Sequence, residues 1–297
     1  MAPRIVRTAA ISATEVPAIH RLVGEAEERD GFGAINEAGL LALAAGTPAE
    51  HALAVEDDRL IGYGQLLDGT GSLVVHPDHR RQGIGTAILE ALLETLRQPQ
   101  GTTTVAFWAT RDTAAAQALA ARHGLTRSRE LLIMKRSLAD LPEPPPVPAG
   151  VEIRPFRVGT DEEPWLTVNG RAFAHHPEQG GITRADLDQR IGQDWFDPAG
   201  FLVAYAGPTM IGFHWTKQHP GTLGEVYVIG VDPDRAGGGV GAALLSRGLS
   251  HLASRGDTEV ILYTEGDNTG AIALYQRYGF AIVSSDVMYS TTAIHGR

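Results

Sequence analysis

The sequence predicts an α/β protein of two tandem domains, each a mixed, mostly antiparallel sheet flanked by helices. Three observations lead there. A strand-loop-helix signature occurs twice: residues 73–86 read LVVHPDHRRQGIGT and residues 229–242 read IGVDPDRAGGGVGA. The His76-Pro77 and Asp232-Pro233 steps, and the pairs Gly83/Gly85 and Gly239/Gly241, stand 156 residues apart, and a fixed offset marks an internal repeat. Residues 140–150, DLPEPPPVPAG, are too rich in proline for helix or sheet and read as a semi-rigid linker between domains at 1–139 and 151–297. On either side of that linker the same order of strands and helices recurs, which indicates a layered α/β sheet in each half.

Each half opens with a short strand, at residues 4–8 and 151–156. A helical stretch follows, begun by Thr14-Glu15-Val16-Pro17 and by Asp161-Glu162-Glu163-Pro164, where acidic residues and proline suit a first turn. Strand pairs come next, at 53–56 with 60–67 and at 200–206 with 210–215, and both second strands carry Ile-Gly near their start. After the repeated signature, strands at 103–109 and 259–264 lead to helices ending His123-Gly124-Leu125 and Tyr278-Gly279-Phe280. Glycine suits a left-handed helix cap there, and a last strand closes each half.

The composition narrows the function. With 297 residues and 43% hydrophobic content, the chain is long enough for two cores. A net charge of -10 argues against nucleic acid or an anionic membrane surface as a partner. No apolar run approaches the roughly 20 residues that span a bilayer, and the start lacks the apolar core of a secretory signal, so a cytoplasmic protein is expected. The chain has no cysteine, which excludes disulfides, thiolate metal sites and an acyl-cysteine intermediate.

A glycine-rich turn between a strand and a helix lets backbone N–H groups ring an anion and adds the positive end of the helix dipole. A single such loop is equally compatible with an ordinary turn, but two in matching context point to a diphosphate. The first copy, Arg80-Arg81-Gln82-Gly83-Ile84-Gly85, resembles the R/Q-x-x-G-x-G/A loop of the GNAT N-acetyltransferases, and the terminal Y-x-R-Y-G-F at 275–280 is similar to the closing pattern of that family. The resemblance implies that the loops hold the pyrophosphate of acetyl-CoA. In the family a base commonly lies on the strand entering the loop and an acid on the helix after the next strand. Glu225 and Tyr275 occupy these places, whereas the first half has Gly69 and Ala120. The alternatives are a strand-end carboxylate and a core aromatic. In the second loop Ala236-Gly237-Gly238 replaces the usual polar or basic residues, with Arg235 alongside.

Three further blocks are more specific. Gly212-Phe213-His214-Trp215-Thr216-Lys217, the run from Gly224-Glu225-Val226-Tyr227 through Asp232-Pro233, and Ala172-Phe173-Ala174-His175-His176-Pro177-Glu178-Gln179-Gly180 resemble the mycothiol synthase family of tandem GNAT enzymes. Membership implies acetyl transfer from acetyl-CoA to the cysteinyl amine of 1D-myo-inositol 2-(L-cysteinylamino)-2-deoxy-α-D-glucopyranoside, giving mycothiol and CoA. It implies a catalytic carboxy-terminal half and an amino-terminal half that holds acetyl-CoA without reaction. Glu178, Lys217, Glu225 and Tyr263 match substrate-contact positions, and Glu37 matches one supplied by the first half. The acetyl-CoA segments correspond to Leu73, Val74 and Val75 and to Arg81, Gln82, Gly83, Ile84, Gly85 and Thr86. In the second half they correspond to Ile229, Gly230 and Val231, to Ala236, Gly237, Gly238, Gly239, Val240, Gly241 and Ala242, and to Asn268, Thr269, Gly270, Ala271, Ile272 and Ala273.

Carboxylates and a lysine suit an acceptor rich in hydroxyls. Isolated charges of this kind are more often solvated surface groups. The adjacent His175 and His176, read as strand residues, would point to opposite faces, so no metal is assigned. Trp215 is expected in the core rather than stacked on a sugar. Two other functions stay open: a tandem GNAT enzyme acetylating a different small amine or peptide amino terminus, and a non-catalytic acyl-CoA sensor. A monomer is expected, because the tandem can stand in for the dimer of single-domain relatives.

Overall fold

The computed structural model describes residues 3–94 and 103–293. In chain order the first half supplies β1 (Arg4–Thr8), α1 (Val16–Asp30), α2 (Glu37–Ala45), β2 (Glu50–Glu56), β3 (Arg59–Leu67), β4 (Thr70–Val75), α3 (Ile84–Glu94), β5 (Thr103–Ala109), α4 (Ala114–Arg122) and β6 (Thr126–Ser137). The second supplies β7 (Val151–Pro155), α5 (Glu162–Ala172), α6 (Pro177–Gly180), α7 (Arg184–Ile191), β8 (Phe201–Ala206), β9 (Thr209–Gln218), β10 (Leu223–Val231), α8 (Val240–Ser254), β11 (Glu259–Glu265), α9 (Thr269–Arg277) and β12 (Ala281–Ala293). Helices α2, α6 and α7 add to the sequence reading. Residues 140–150 hold neither helix nor strand, and the Pro145 carbonyl accepts a 3.1 Å bond from Arg247 on α8. No helix among the described residues is long and apolar enough to cross a membrane.

The chain forms two compact units that are not collinear with the sequence halves. Unit 1 comprises Met1–Leu132, Glu265–Asp267 and Ser284–Arg297, and unit 2 comprises Ile133–Thr264 and Asn268–Val283. The difference lies in the two closing strands: β6 passes into unit 2 from Ile133, and β12 passes into unit 1 from Ser284. From Val287 to Ala293, β12 pairs antiparallel with β5, so it completes the sheet of unit 1 and not that of its own half.

In unit 1, β1, β2, β3 and β4 form antiparallel ladders, and β4 then meets β5 in parallel. Side chains on β2 alternate. Ala52 and Ala54 pack with Ile84, Ile88 and Leu92 of α3, while Leu53 packs with Ile19, Leu22 and Val23 of α1 on the opposite face. Unit 2 repeats the plan, with β7, β8, β9 and β10 antiparallel and β10 parallel to β11. Leu202 and Ala204 face Leu244 of α8, and Phe201 and Val203 face Trp165 of α5. Trp215 has no exposed surface and stacks on Phe201 with centroids 4.3 Å apart, so it belongs to the core. The buried His214 imidazole hydrogen-bonds the Leu244 carbonyl at 3.0 Å, and burial pushes its pKa down to about 4, which keeps it neutral. Gly248 on α8 makes room for this ring, since a Cβ there would fall on the imidazole.

One buried ion pair joins β7 to the start of α5. The Asp161 side chain is 1% exposed, and Arg154 grips it through bonds of 2.6 and 2.8 Å. Burial alone would raise the Asp161 pKa, but Arg154, the Arg157 amide and the Tyr205 hydroxyl together hold it down at about 2. Its stabilising effect is therefore present above about pH 4 and is lost as pH falls toward 2. Arg154→Ala, which strands the buried carboxylate, should cost about 3 kcal/mol or more in urea unfolding at pH 7. The deficit should shrink near pH 2, where Asp161 becomes protonated in both proteins.

Candidate active site

Both glycine loops are shaped by left-handed backbone. Arg81 (φ 63°) and Gly83 (φ 83°) alternate in the first, and Gly237 (φ 82°) and Gly239 (φ 83°) take the same places in the second. The carbonyls of Gly83 and Gly239 accept the first helical bonds, from Ala87 and Ala243, each at 3.0 Å. These residues lack side chains that could cap the helix, so the first-turn N–H groups of α3 and α8 are available to an anion. Within the Ala236-Gly237-Gly238 departure, Gly237 thus has a conformational reason. Glycine relieves at 237 the strain that Arg81 carries, about 1 kcal/mol for an L-residue in this region. Gly237→Ala should accordingly lower stability by about 1 kcal/mol in chemical denaturation. Gly238→Ala should be close to neutral, since a Cβ there would sit 3.7 Å from its nearest neighbour.

Each loop lies at the mouth of an opening in its sheet. The β4–β5 ladder pairs Thr70 with Ala106 and Gly71 with Phe107 and then stops, leaving Leu73, Val74 and Val75 beyond it. A cavity of about 630 Å³ occupies this side of unit 1. Its lining includes Leu73, Val74, Val75, Arg81, Gly83, Ile84, Gly85 and Thr86, together with Phe107, Trp108 and Ala109 of β5, but not Gln82. An apolar slot ending at a ring of amides fits an acyl chain with a diphosphate at its end. Arg80 braces the loop, donating two 2.8 Å bonds to Asp30 and one of 3.1 Å to the Val75 carbonyl.

The β10–β11 ladder runs from Leu223–Glu259 to Val226–Leu262 and ends, so Ile229, Gly230 and Val231 continue paired with β9 alone. A bulge between Val226 and Val228 breaks the β9–β10 register and inserts Tyr227. The bulge also corrects the repeat. Counted through the ladders, the counterpart of Glu225, which faces Lys217, is Thr70, which faces Leu67, and not Gly69; Gly69 lies in the turn before β4. Neither residue is a carboxylate.

Glu225 is 7% exposed. Its Oε2 accepts a 2.6 Å bond from Nε2 of His219. Lys217 is its cross-strand partner, and the Lys217 ammonium lies 4.6 Å from the Trp195 ring and 5.2 Å from the Tyr227 ring. Arg190 of α7 donates to the Tyr227 hydroxyl at 3.0 Å. Lys217 and His219 line a second cavity, of about 460 Å³. Val226, next to Glu225, points to the other face and joins the cluster that contains Tyr275. The structure therefore brings Glu225, Lys217 and His219 together on one face of β10 and sets Tyr275 on the other, where the strands begin to part.

Tyr275 is 7% exposed on α9, edge-on to Phe280, and burial pushes its pKa up to about 12. Tyr263 lies on β11 at 41% exposure. Glu37 opens α2 in unit 1 behind its Asn36 cap. The backbone of Glu178 lies in α6, and its side chain is outside the described residues. Asn268 caps α9 by accepting the Ala271 amide at 3.1 Å, ahead of Thr269, Gly270, Ala271, Ile272 and Ala273. His175 and His176 sit in the turn between α5 and α6 rather than on a strand. The sequence reading missed His219, Trp195 and the role of Tyr227. The one available signal was a histidine in the turn after the lysine-bearing strand.

Two mixed sets of strands, each with a glycine loop at an opened parallel ladder, define a tandem protein of the GNAT acetyltransferase class, and the acetyltransferase (GNAT) family model matches residues 19–125 and 170–280. The fold is shared with a tandem GNAT protein from the clavulanic acid biosynthesis pathway (TM-score 0.76, 20% identity, 99% of this chain and 100% of that one). A GCN5-related N-acetyltransferase from Sphaerobacter thermophilus gives a TM-score of 0.69 at 24% identity, over 97% of this chain and 95% of that one. In sequence, the chain is 46% identical over 290 residues to the mycothiol acetyltransferase of Actinosynnema mirum, covering 95% of this chain and 97% of the relative. It is 44% identical over 290 residues to that of Streptomyces scabiei, covering 94% and 92%. The chain belongs to the mycothiol acetyltransferase family.

Proposed function

We propose that the chain transfers the acetyl group of acetyl-CoA to the cysteinyl amine of 1D-myo-inositol 2-(L-cysteinylamino)-2-deoxy-α-D-glucopyranoside, producing mycothiol and CoA. In this reading residues 1–139 and 151–297 are the two repeats, the second catalytic and the first an acetyl-CoA-binding half without turnover. The observation that carries it is the buried Glu225 carboxylate beside Lys217, at the point where β10 parts from β11.

Glu225 takes a proton from the cysteinyl ammonium, and the free amine attacks the thioester carbon directly. A backbone N–H of the stretch Ile229, Gly230 and Val231 polarises the thioester carbonyl, and Tyr275 protonates the departing thiolate. Lys217, Glu178 and Tyr263 hold the hydroxyl-rich acceptor. The loop from Ala236 to Ala242 and the start of α9 hold the donor. The first half has Thr70 where the second has Glu225, which accounts for a half that binds without reacting. The working form is a cytoplasmic monomer.

The test is incubation of the purified chain with acetyl-CoA and the cysteinylated acceptor, with product followed by mass spectrometry. The expected result is an acetylated product made at the amine. Binding of acetyl-CoA without product would overturn the acceptor assignment and favour another amine or a sensor.

A further inference from the structure

Acetylation of a protonated amine leaves one proton behind in every turnover, and in the proposed reaction that proton arrives on Glu225. The Glu225 side chain is 9% exposed, and that of His219, the group bonded to it, is 30% exposed. His219 reaches this place through the β9–β10 turn. Its amide donates to the Leu223 carbonyl at 2.9 Å, Gly221 takes a φ of 90°, and the imidazole folds back onto β10 so that Nε2 lies 2.6 Å from Oε2 of Glu225. The same residue lines the cavity of about 460 Å³, where Asp194, Asp197, His251 and Arg255 also stand. Asp197 is taken up by His251 at 3.2 Å and Arg255 at 3.8 Å, which leaves His219 as the imidazole bonded to the carboxylate.

We propose that His219 is the positioning residue of Glu225 and its proton relay, moving the proton from the buried carboxyl to water through this cavity. The inference rests on Glu225 being the base. The transfer balances without a further reactant. The proton on Oε2 passes to Nε2, the imidazolium gives up its Nδ1 proton to water, and Glu225 is left ionised and accepting a bond from the Nε2–H. Each transfer starts from the Nδ1–H tautomer, whose bare Nε2 can take the proton, and exchange with water regenerates that tautomer from the resting Nε2–H form. The charges around the imidazole are Glu225 on β10, Lys217 on β9, Asp194 and Asp197 before β8, His251 on α8 and Arg255 just after it.

The test compares His219→Ala and His219→Gln with wild type and Glu225→Gln, measuring kcat, both KM values and the pH profile between 6 and 9, with and without added imidazole. Direct acid–base groups are worth about 100-fold to 10,000-fold, and a relay that water partly replaces falls at or below the lower end. His219→Ala should lose about tenfold to a hundredfold in kcat with KM for acetyl-CoA unchanged, and imidazole should restore part of it. His219→Gln, which keeps a donor for Glu225 but carries no proton, should stay slow. Wild-type kcat and pH profile in both histidine variants, with Glu225→Gln inactive, overturns the relay and leaves the base standing. Full activity in His219→Gln alone reduces His219 to a structural donor and also overturns the relay. Wild-type turnover in Glu225→Gln removes the base assignment itself.

Discussion

Glu225→Gln should lower kcat by about 100-fold to 10,000-fold at pH 7 while leaving acetyl-CoA binding intact. At 1.36 kcal/mol per decade this corresponds to about 3–5 kcal/mol of transition-state stabilisation. The amide can accept the bond from His219 Nε2–H, so the local fold should persist, but it cannot take a proton. The defect also has a pH signature. An α-amine titrates near pH 8, so at neutral and acidic pH most of the acceptor arrives protonated and depends on the base. Above about pH 8 the free amine predominates and the gap to wild type should narrow. A defect of constant size from pH 6 to 9 would count against proton removal by Glu225, and wild-type turnover at pH 7 would eliminate it.

Tyr275→Phe should cost a similar factor across the whole range, because the phenol donates a proton and keeps it until pH approaches 12. Burial is the cause of that high value, and it changes the expected chemistry. A phenol near 10 would sit within about two units of a thiol near 8.5, whereas burial pushes Tyr275 up to about 12 and makes donation to a free thiolate more uphill. Donation therefore has to be concerted with C–S cleavage and with the proton leaving the newly acylated nitrogen, which is a far stronger acid. A raised folded-state value also fixes the sign of the stability effect. The Tyr275 contribution is fully present below about pH 10 and is lost as pH rises toward 12, so alkaline unfolding should move to higher pH in Tyr275→Phe. Unchanged kcat in this variant at saturating substrates would remove Tyr275 from the reaction.

Much of the candidate site is legible in the residues. The glycine loops announce themselves because left-handed φ favours glycine at positions 83, 237 and 239, and Glu225 and Tyr275 stand at fixed distances from punctuating residues, Asp232-Pro233 and Gly279. The 156-residue offset is reliable from the loop back to Val228, and it slips by one residue at the Tyr227 bulge, an extra residue that no side-chain pattern marks. His219 stayed hidden for a related reason. It meets Glu225 across a hairpin turn, and a turn breaks the helical and strand periodicities that relate residues along a single element.

Alternation, caps, proline and glycine are local features, and local features by themselves determined that this chain makes two α/β repeats, where each repeat opens its glycine loop, and which half carries a carboxylate and a phenol. Strand pairing is a choice among distant partners of similar propensity, so only the tertiary structure decided that residues 284–293 join the sheet of unit 1. Burial and hydrogen bonding are likewise properties of the packed state. They placed Glu225 under His219, took Trp215 out of reach of any ligand, and raised the Tyr275 phenol to about 12, because each depends on atoms that the chain brings together only when it folds.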